Sequence, residues 1–321
     1  MKKLSNFQTR LIASAVMAVI LFAIFLTRLW TVYVVDVVVL FFVFVAIFET
    51  HHLRKLDTRG VKSLSLYLWV VCAYFFYILG EEILTEKFTV WLHIGLQLGL
   101  LAIFALYSYF MALVDKKFEK ECQVAKKSHK KESLLASLDF LNSALYPSLL
   151  LLMLIPINHI KTVGFMGILL VFIVSCFTDM FAYAFGLTIR GPKLCPKLSP
   201  KKSWSGFGGG VIGGIIASLL VLWMVLKFKL YNVVDDTTFS MADHLYDKLG
   251  NHTATTLWFV LFGAIGAVVA TAGDLFASYI KRKAEVKDFG KYIPGHGGAM
   301  DRLDGISFNA VYFLIIAFCL A

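Results

Sequence analysis

Long uninterrupted apolar runs, separated by short polar segments, dominate this chain. Runs such as "VVDVVVLFFVFVAIFE" (34–49) do not alternate apolar and polar positions as membrane-spanning strands would. A helix satisfies every backbone group internally, so continuous apolar runs predict helices. Nine such runs approach or exceed the roughly 18 residues that cross a bilayer core of about 30 Å. They fall at 11–27, 32–50, 64–80, 88–114, 134–155, 163–186, 208–229, 255–280 and 303–321, the third and ninth being short. The first follows Lys2, Lys3 and Arg10, and no small-residue cleavage site follows "LFAIFLTRLW". It therefore predicts a retained anchor rather than a signal peptide. The expected fold class is an all-α polytopic membrane protein of about nine transmembrane helices.

Composition agrees. Of 321 residues 59% are hydrophobic and 16% charged, against about a quarter charged in soluble domains. Net charge is +10, and 25 of the 31 Lys and Arg lie in 1–10, 51–63, 115–133, 187–205 and 281–302. With the N-terminus in the cytoplasm all five segments are cytoplasmic, a strong positive-inside asymmetry. Basic loops also attract anionic lipids and nucleotides. No basic-aromatic module stands outside the spans, which argues against nucleic acid. The five cysteines show no C-x-x-C spacing and read as buried or reduced thiols.

By character the chain divides into 1–133, four spans and a basic connector, and 134–321, a C-terminal region of five spans where function is expected to lie. The connector 115–133 reads as a surface helix or a solvated loop that enforces topology and touches acidic lipid. The segment 230–254 is the largest outer loop, with room for a short helix, and its "NHT" at 251–253 matches a glycosylation sequon that also arises by chance. His51 and His52 read as interfacial residues. After residue 160 polar residues and glycines enter the spans, and intramembrane carboxylates are costly and rarely idle.

Three clusters stand out there. In the eighth span Asp274, Ser278, Lys281 and Arg282 are spaced to share one helix face, from an acid at membrane depth to bases at the cytoplasmic edge. The polar stretch "KDFGKYIPGHGGAMDRLD" (287–304) follows. Its Pro294 and glycines 295, 297 and 298 suit a tight turn whose amides form an anion nest, with His296 inside it. Asp301, Arg302 and Asp304 then open the last span. The acids 274, 285, 288, 301 and 304 and several bases thus meet at one cytoplasmic edge. Hard oxygen ligands beside phosphate-binding bases suit Mg²⁺-dependent phosphoryl or nucleotidyl transfer. In the second cluster, "SPKKSWSGFGGG" (199–210), Lys201 and Lys202 precede a glycine-rich helix start, a phosphate cradle that is not a P-loop. Those glycines also serve helix packing. In the third, "FTDMFAYAFG" (177–186), Asp179 lies in the sixth span with Tyr183 four residues on.

The segment "SYIKRKAEVKDFGKYIPGHGGAMDRLD" (278–304) resembles the signature of the phosphatidate cytidylyltransferases, or CDP-diacylglycerol synthases. Ser278, Lys281, Arg282, Lys287, Asp288, Gly290, Pro294, His296, Gly297, Gly298, Asp301, Arg302 and Asp304 all match it. "TDMFAYAFG" and "SPKKSWSGFGGG" look like further family segments, so the resemblance covers about 175–305. One departure is clear: the family's lysine segment continues Thr-Trp-Glu-Gly, where this chain has Ser203, Trp204, Ser205 and Gly206. Ser205 removes an acid and receives no metal or base role.

The resemblance implies that CTP and phosphatidate give CDP-diacylglycerol and pyrophosphate for phospholipid synthesis. It implies a catalytic group of Asp274, Asp301, Asp288, Lys287 and His296. Mg²⁺ would be held by Asp274 and Asp301, with Asp304 and Asp179 as outer ligands or ligands of a second ion. Substrate phosphates would be bound by Ser199, Lys201, Lys202, Ser278, Lys281, Arg282, Gly297, Gly298 and Arg302. It further implies a homodimer, with membrane lipids as surroundings. The compact length suggests a bacterial inner membrane. The alternatives are a related CTP-dependent polyprenol or phytol kinase and, outside enzymes, an ion-coupled transporter.

Overall fold

The computed structural model describes residues 27, 31–53, 61–83, 88–160, 163–228, 241–290 and 298–320, with backbone alone at 81–83 and 88–94. The chain is an all-α polytopic membrane protein. Eight helices among the described residues are long and apolar enough to cross a membrane. The expected first span, 11–27, lies outside the described residues except Thr27. In chain order the helices are α1 (Tyr33–Leu53), α2 (Ser63–Ile83), α3 (Phe88–Val114), α4 (Lys116–Val124), α5 (His129–His159), α6 (Gly164–Thr188), α7 (Trp204–Phe228), α8 (Met241–Leu249), α9 (His252–Lys283) and α10 (Met300–Leu320). A short antiparallel hairpin, β1 (Lys193–Cys195) and β2 (Ser199–Ser203), joins α6 to α7.

The remaining eight expected spans each fall in one helix, and the differences have local causes. Helix α5 is interrupted at Pro147, where Tyr146 is extended (φ −127, ψ 121). Proline lacks the N–H and disfavours a helical conformation in the residue before it. Helix α7 begins at Trp204 because Ser203 accepts a hydrogen bond from the Gly206 amide at 3.2 Å, an N-cap arrangement. Part of the connector 115–133 is the helix α4, which buries Phe118 and Cys122 on one face. Burial pushes the Cys122 thiol up, which keeps it protonated. In the segment expected to be the outer loop, α8 buries Met241, Ala242 and Leu245. Asn251 of the sequon caps α9 by accepting from the Thr253 amide at 2.8 Å.

By contacts the described residues form two compact units, one from 42–149 and one from 1–41 with 150–321. In the first, α2 packs on α3 and α3 on the first half of α5. Side chains reach backbone carbonyls across these helices, Gln97 to Ala73 at 2.9 Å and Ser137 to Ala105 at 3.0 Å. Such bonds add specificity where lipid gives little hydrophobic drive between helices.

In the second unit α6, α7, α9 and α10 form the core. Helix α7 crosses α9 so closely that a Cβ on Gly263 would collide with the Gly214 carbonyl oxygen. Ser218 donates to the Phe259 carbonyl at 2.7 Å and Asn309 to the Ser175 hydroxyl at 2.8 Å, locking α7 to α9 and α10 to α6. At another point of this unit Asp36 is fully buried, held by Asn158 at 2.9 Å and His159 at 2.7 Å.

Candidate active site

Helix α6, the hairpin, the start of α7, and α9 and α10 enclose a cavity of about 930 Å³. That is the size of a pocket for a sizeable ligand. Asp179 and Tyr183 line it from α6, Lys201 and Lys202 from β2, Thr271 and Asp274 from α9, and Arg302 from α10. The three clusters separated by up to some hundred residues in sequence are therefore walls of one space.

Small residues bring the walls together. A Cβ on Gly206 would meet the Ala182 carbonyl oxygen at 2.8 Å, so α7 starts hard against α6. A Cβ on Gly273 would meet the Asp304 carbonyl oxygen at 2.6 Å, so α10 lies against α9 beside Asp274. Lys202 reaches from the hairpin to Asp274 Oδ2 at 2.5 Å, both side chains about a quarter exposed (25% and 27%). Asp304 is buried behind them and accepts from the Gly305 amide at 2.8 Å. Asp179, Asp274 and Asp304 lie within electrostatic reach of one another, with Lys202, Lys281 and Arg302 as the facing cations.

Asp301 has a different setting. Its Oδ1 accepts from Lys281 Nζ at 2.7 Å, and its Oδ2 accepts from the Phe289 and Gly298 amides, each at 2.9 Å. The pair is buried (side chains 11% and 6% exposed), and the Lys281 ammonium lies 5.3 Å from the centre of the Phe289 ring. One carboxylate thus fastens Phe289 and Gly298 to Lys281 of α9. His296 and Gly297, like Pro294, lie outside the described residues. Arg282 donates to the Leu198 carbonyl at 3.4 Å and the Val286 carbonyl at 3.2 Å, tying the end of α9 to the hairpin. Ser278 is buried one turn before Lys281, Lys287 and Asp288 are exposed beyond α9, and Ser199 pairs with Cys195 in the hairpin.

The residues so placed fit a divalent cation in kind more than in present geometry. Among the described residues no three His, Cys, Asp or Glu side chains converge as a ready metal cage. Asp179 and Asp274 do offer hard oxygens to the same cavity. Beside Asp274 stands an ammonium on a flexible, part-exposed lysine, where a cation would otherwise sit. Two cavity residues, Arg190 and Lys193, were not singled out by sequence. They counted only toward the positive charge of 187–205, because nothing local marks the hairpin that turns them inward.

The family model described as the Cytidylyltransferase family matches residues 8–320. The chain is 43% identical over 72 residues to the phosphatidate cytidylyltransferase of Helicobacter pylori strain J99, covering 22% of this chain and 27% of that one. It is 43% identical over 70 residues to the phosphatidate cytidylyltransferase of Thermotoga maritima, covering 22% and 26%. A protein of Escherichia coli described only as uncharacterised YnbB matches at 45% over 65 residues, 20% and 22%. These matches span about a quarter of the relatives' length. The family model, in contrast, runs through every helix described above, and the chain belongs to the Cytidylyltransferase family.

Proposed function

We propose that the chain transfers the cytidylyl group of CTP to phosphatidate, giving CDP-diacylglycerol and pyrophosphate. The observation that carries this reading is the meeting of the hairpin lysines with Asp274 and Arg302 on one cavity. Family membership and the names of the relatives support it. Positive-inside asymmetry supports a cytoplasmic-edge location for this cavity, where CTP would be available and the lipid would lie in the adjoining leaflet.

The chemistry needs charge management more than proton transfer. A phosphate monoester with a second pKa near 6 is already largely ionised at neutral pH. One of its oxygens attacks the α-phosphorus of CTP, and the bond to the oxygen bridging the α- and β-phosphates breaks, that oxygen leaving with pyrophosphate. Lys201, Lys202 and Arg302 face the cavity and would neutralise the triphosphate and the leaving group. Asp274 and Asp179 would hold Mg²⁺, with Asp304 behind them, once Lys202 turns from Asp274 to a phosphate. The bound ion would polarise phosphate oxygens and offset the charge on the leaving pyrophosphate. Asp301 would keep Lys281, Phe289 and Gly298 in register beside this group; for it to ligate the ion directly, Lys281 must first leave its Oδ1.

The test is direct. Purified protein in detergent, given labelled CTP, phosphatidate and Mg²⁺, should form a labelled liponucleotide, and a chelator should abolish it. Absence of liponucleotide sinks the reading. CDP released with a phosphorylated polyprenol, when that alcohol is supplied, would put a kinase in its place.

A further inference from the structure

Arg190 stands in an unusual place. It follows α6 in the left-handed region (φ 59), and Gly191 after it has φ 118. A non-glycine residue keeps such a conformation only where its surroundings impose it. Here they do. The Gly206 amide donates to Ser203 Oγ, and Ser203 Oγ contacts Ser205 Oγ at 3.0 Å. The Ser205 hydroxyl in turn donates to the Arg190 carbonyl oxygen. Each hydroxyl gives one hydrogen and receives one, so the relay runs in a single direction from α7 to the turn. The Trp204 amide adds a bond to the Pro192 carbonyl at 3.0 Å. Ser205 is the position where this chain departs from the acid of the resembling family segment, and it is the residue that clasps the turn.

The clasp aims cations at the cavity. Asp179, Tyr183, Leu187 and Arg190, spaced four, four and three along the chain, all line it. That wall runs from an acid through a phenol and one apolar side chain to a guanidinium. Lys193 lines it too, and its register opposite Ser203 sets it beside the end of β2. The deep cations Lys202 and Arg302 share their surroundings with Asp179 and Asp274. Among the described residues no carboxylate pairs with Arg190, Lys193 or Lys201. A planar guanidinium beside ammonium groups, without acids, is suited to a phosphate group.

We propose that Arg190 and Lys193 form a rim phosphate subsite of this cavity, apart from the deep Asp274–Lys202 group, and that Ser205 is the positioning residue that holds Arg190 there. The ligand chemistry is a phosphate group, carried either by CTP or by the lipid acceptor. The proposal rests on the cytidylyl-transfer reading for its kinetic readout.

Steady-state kinetics of the full-length protein in detergent give the test, varying CTP and a short-chain phosphatidate separately. Arg190→Ala should raise KM for one of the two about tenfold or more, leaving kcat within about threefold. The substrate affected identifies the source of the phosphate. Ser205→Ala should raise the same KM by a smaller factor, about threefold to fivefold, and Ser205→Thr, which keeps the hydroxyl, should restore it. Unchanged KM values for both substrates in Arg190→Ala would overturn the subsite. A Ser205→Ala effect on kcat alone, or on the other substrate's KM, would overturn the clasp. Calorimetric titration of CTP, inorganic pyrophosphate and short-chain phosphatidate into wild type and Arg190→Ala reads the subsite without turnover. A wild type that binds these probes in an Arg190-dependent way yet makes no liponucleotide keeps the subsite and removes the reaction assigned to it.

Discussion

Two lysine–aspartate pairs each hold one side chain of α9, and they are built for different work. Lys202–Asp274 joins the hairpin to α9 at 2.5 Å on the wall of the cavity, with both side chains part exposed. Lys281–Asp301 joins α9 to α10 at 2.7 Å, is nearly sealed from solvent, and its carboxylate also accepts from two backbone amides. Among the described residues the first pair has one partner apiece, and its flexible lysine stands at the edge of an open space, so a phosphate or a cation can exchange into it. The second accepts from three directions and ties Phe289 and Gly298 to the same carboxylate. Composition alone would class them together. Burial and partner number separate an exchangeable pair from a fixed one.

The largest effect should come from breaking the first pair on its acidic side. Asp274→Asn removes the cavity-facing charge on α9 while keeping the side chain's shape. Turnover should fall about 10³-fold, the upper range for losing one electrostatic partner of a transition state, with little change in melting temperature in detergent. The second pair should behave in the opposite way. Asp301→Asn leaves Lys281 buried without its counter-charge, a loss of about 3–5 kcal/mol in comparable cases. The melting temperature should drop sharply and activity with it. Asp301→Asn combined with Lys281→Met removes both charges and should regain much of that stability. Equal melting temperatures for Asp274→Asn and Asp301→Asn would erase the distinction between the pairs.

A smaller effect is expected from Lys202. If its amine moves from Asp274 to the triphosphate, Lys202→Met should raise KM for CTP and lower kcat, together about 10²-fold in kcat/KM. The requirement for Mg²⁺ should fall at the same time, because the lysine no longer competes for Asp274. A higher Mg²⁺ requirement would mean that Lys202 orders the ion's ligands rather than excluding the ion.

How legible these features were in the sequence follows from the range of the forces that make them. The helices were legible, because an apolar run must become a helix to satisfy its backbone in lipid. Asp274 and Asp179 stood out because charge at membrane depth is costly, and Lys281 because its spacing sets it on the helix face of Asp274. The hairpin was not legible: "KLCPKLSPKKS" has no alternation to announce strands, and its form depends on Trp204, Ser205 and Arg282 reaching back to it. Nor was the setting of Asp301, whose partners Phe289 and Gly298 are backbone amides that no side-chain pattern marks. Arg190 and Lys193 were seen as net charge and not as cavity walls, since only the turn's left-handed backbone directs them.

A third pair, in the other compact unit, supplies the lower limit of the comparison. Lys62 meets Asp115 at 2.5 Å, but Lys62 is 42% exposed, and Asp115 is also the N-cap of α4, accepting from the Lys117 and Phe118 amides. The bond from Lys62 and those two amides hold the Asp115 carboxyl below the usual carboxylate range. A group whose folded pKa is depressed stabilises above its unfolded value and loses that contribution as pH falls through the folded value. The pair should therefore act unchanged from pH 7 to pH 5 and fade below the ordinary value of 3.8. Exposed pairs contribute about 0–1 kcal/mol, whereas an N-cap is worth about 1 kcal/mol. Lys62→Met should thus lower the melting temperature barely measurably. Asp115→Asn, which keeps a capping oxygen, should do little more, and Asp115→Ala should cost the most of the three. If Lys62→Met matched Asp115→Ala, the ion pair and not the cap would hold α4, and exposure would no longer rank the three pairs.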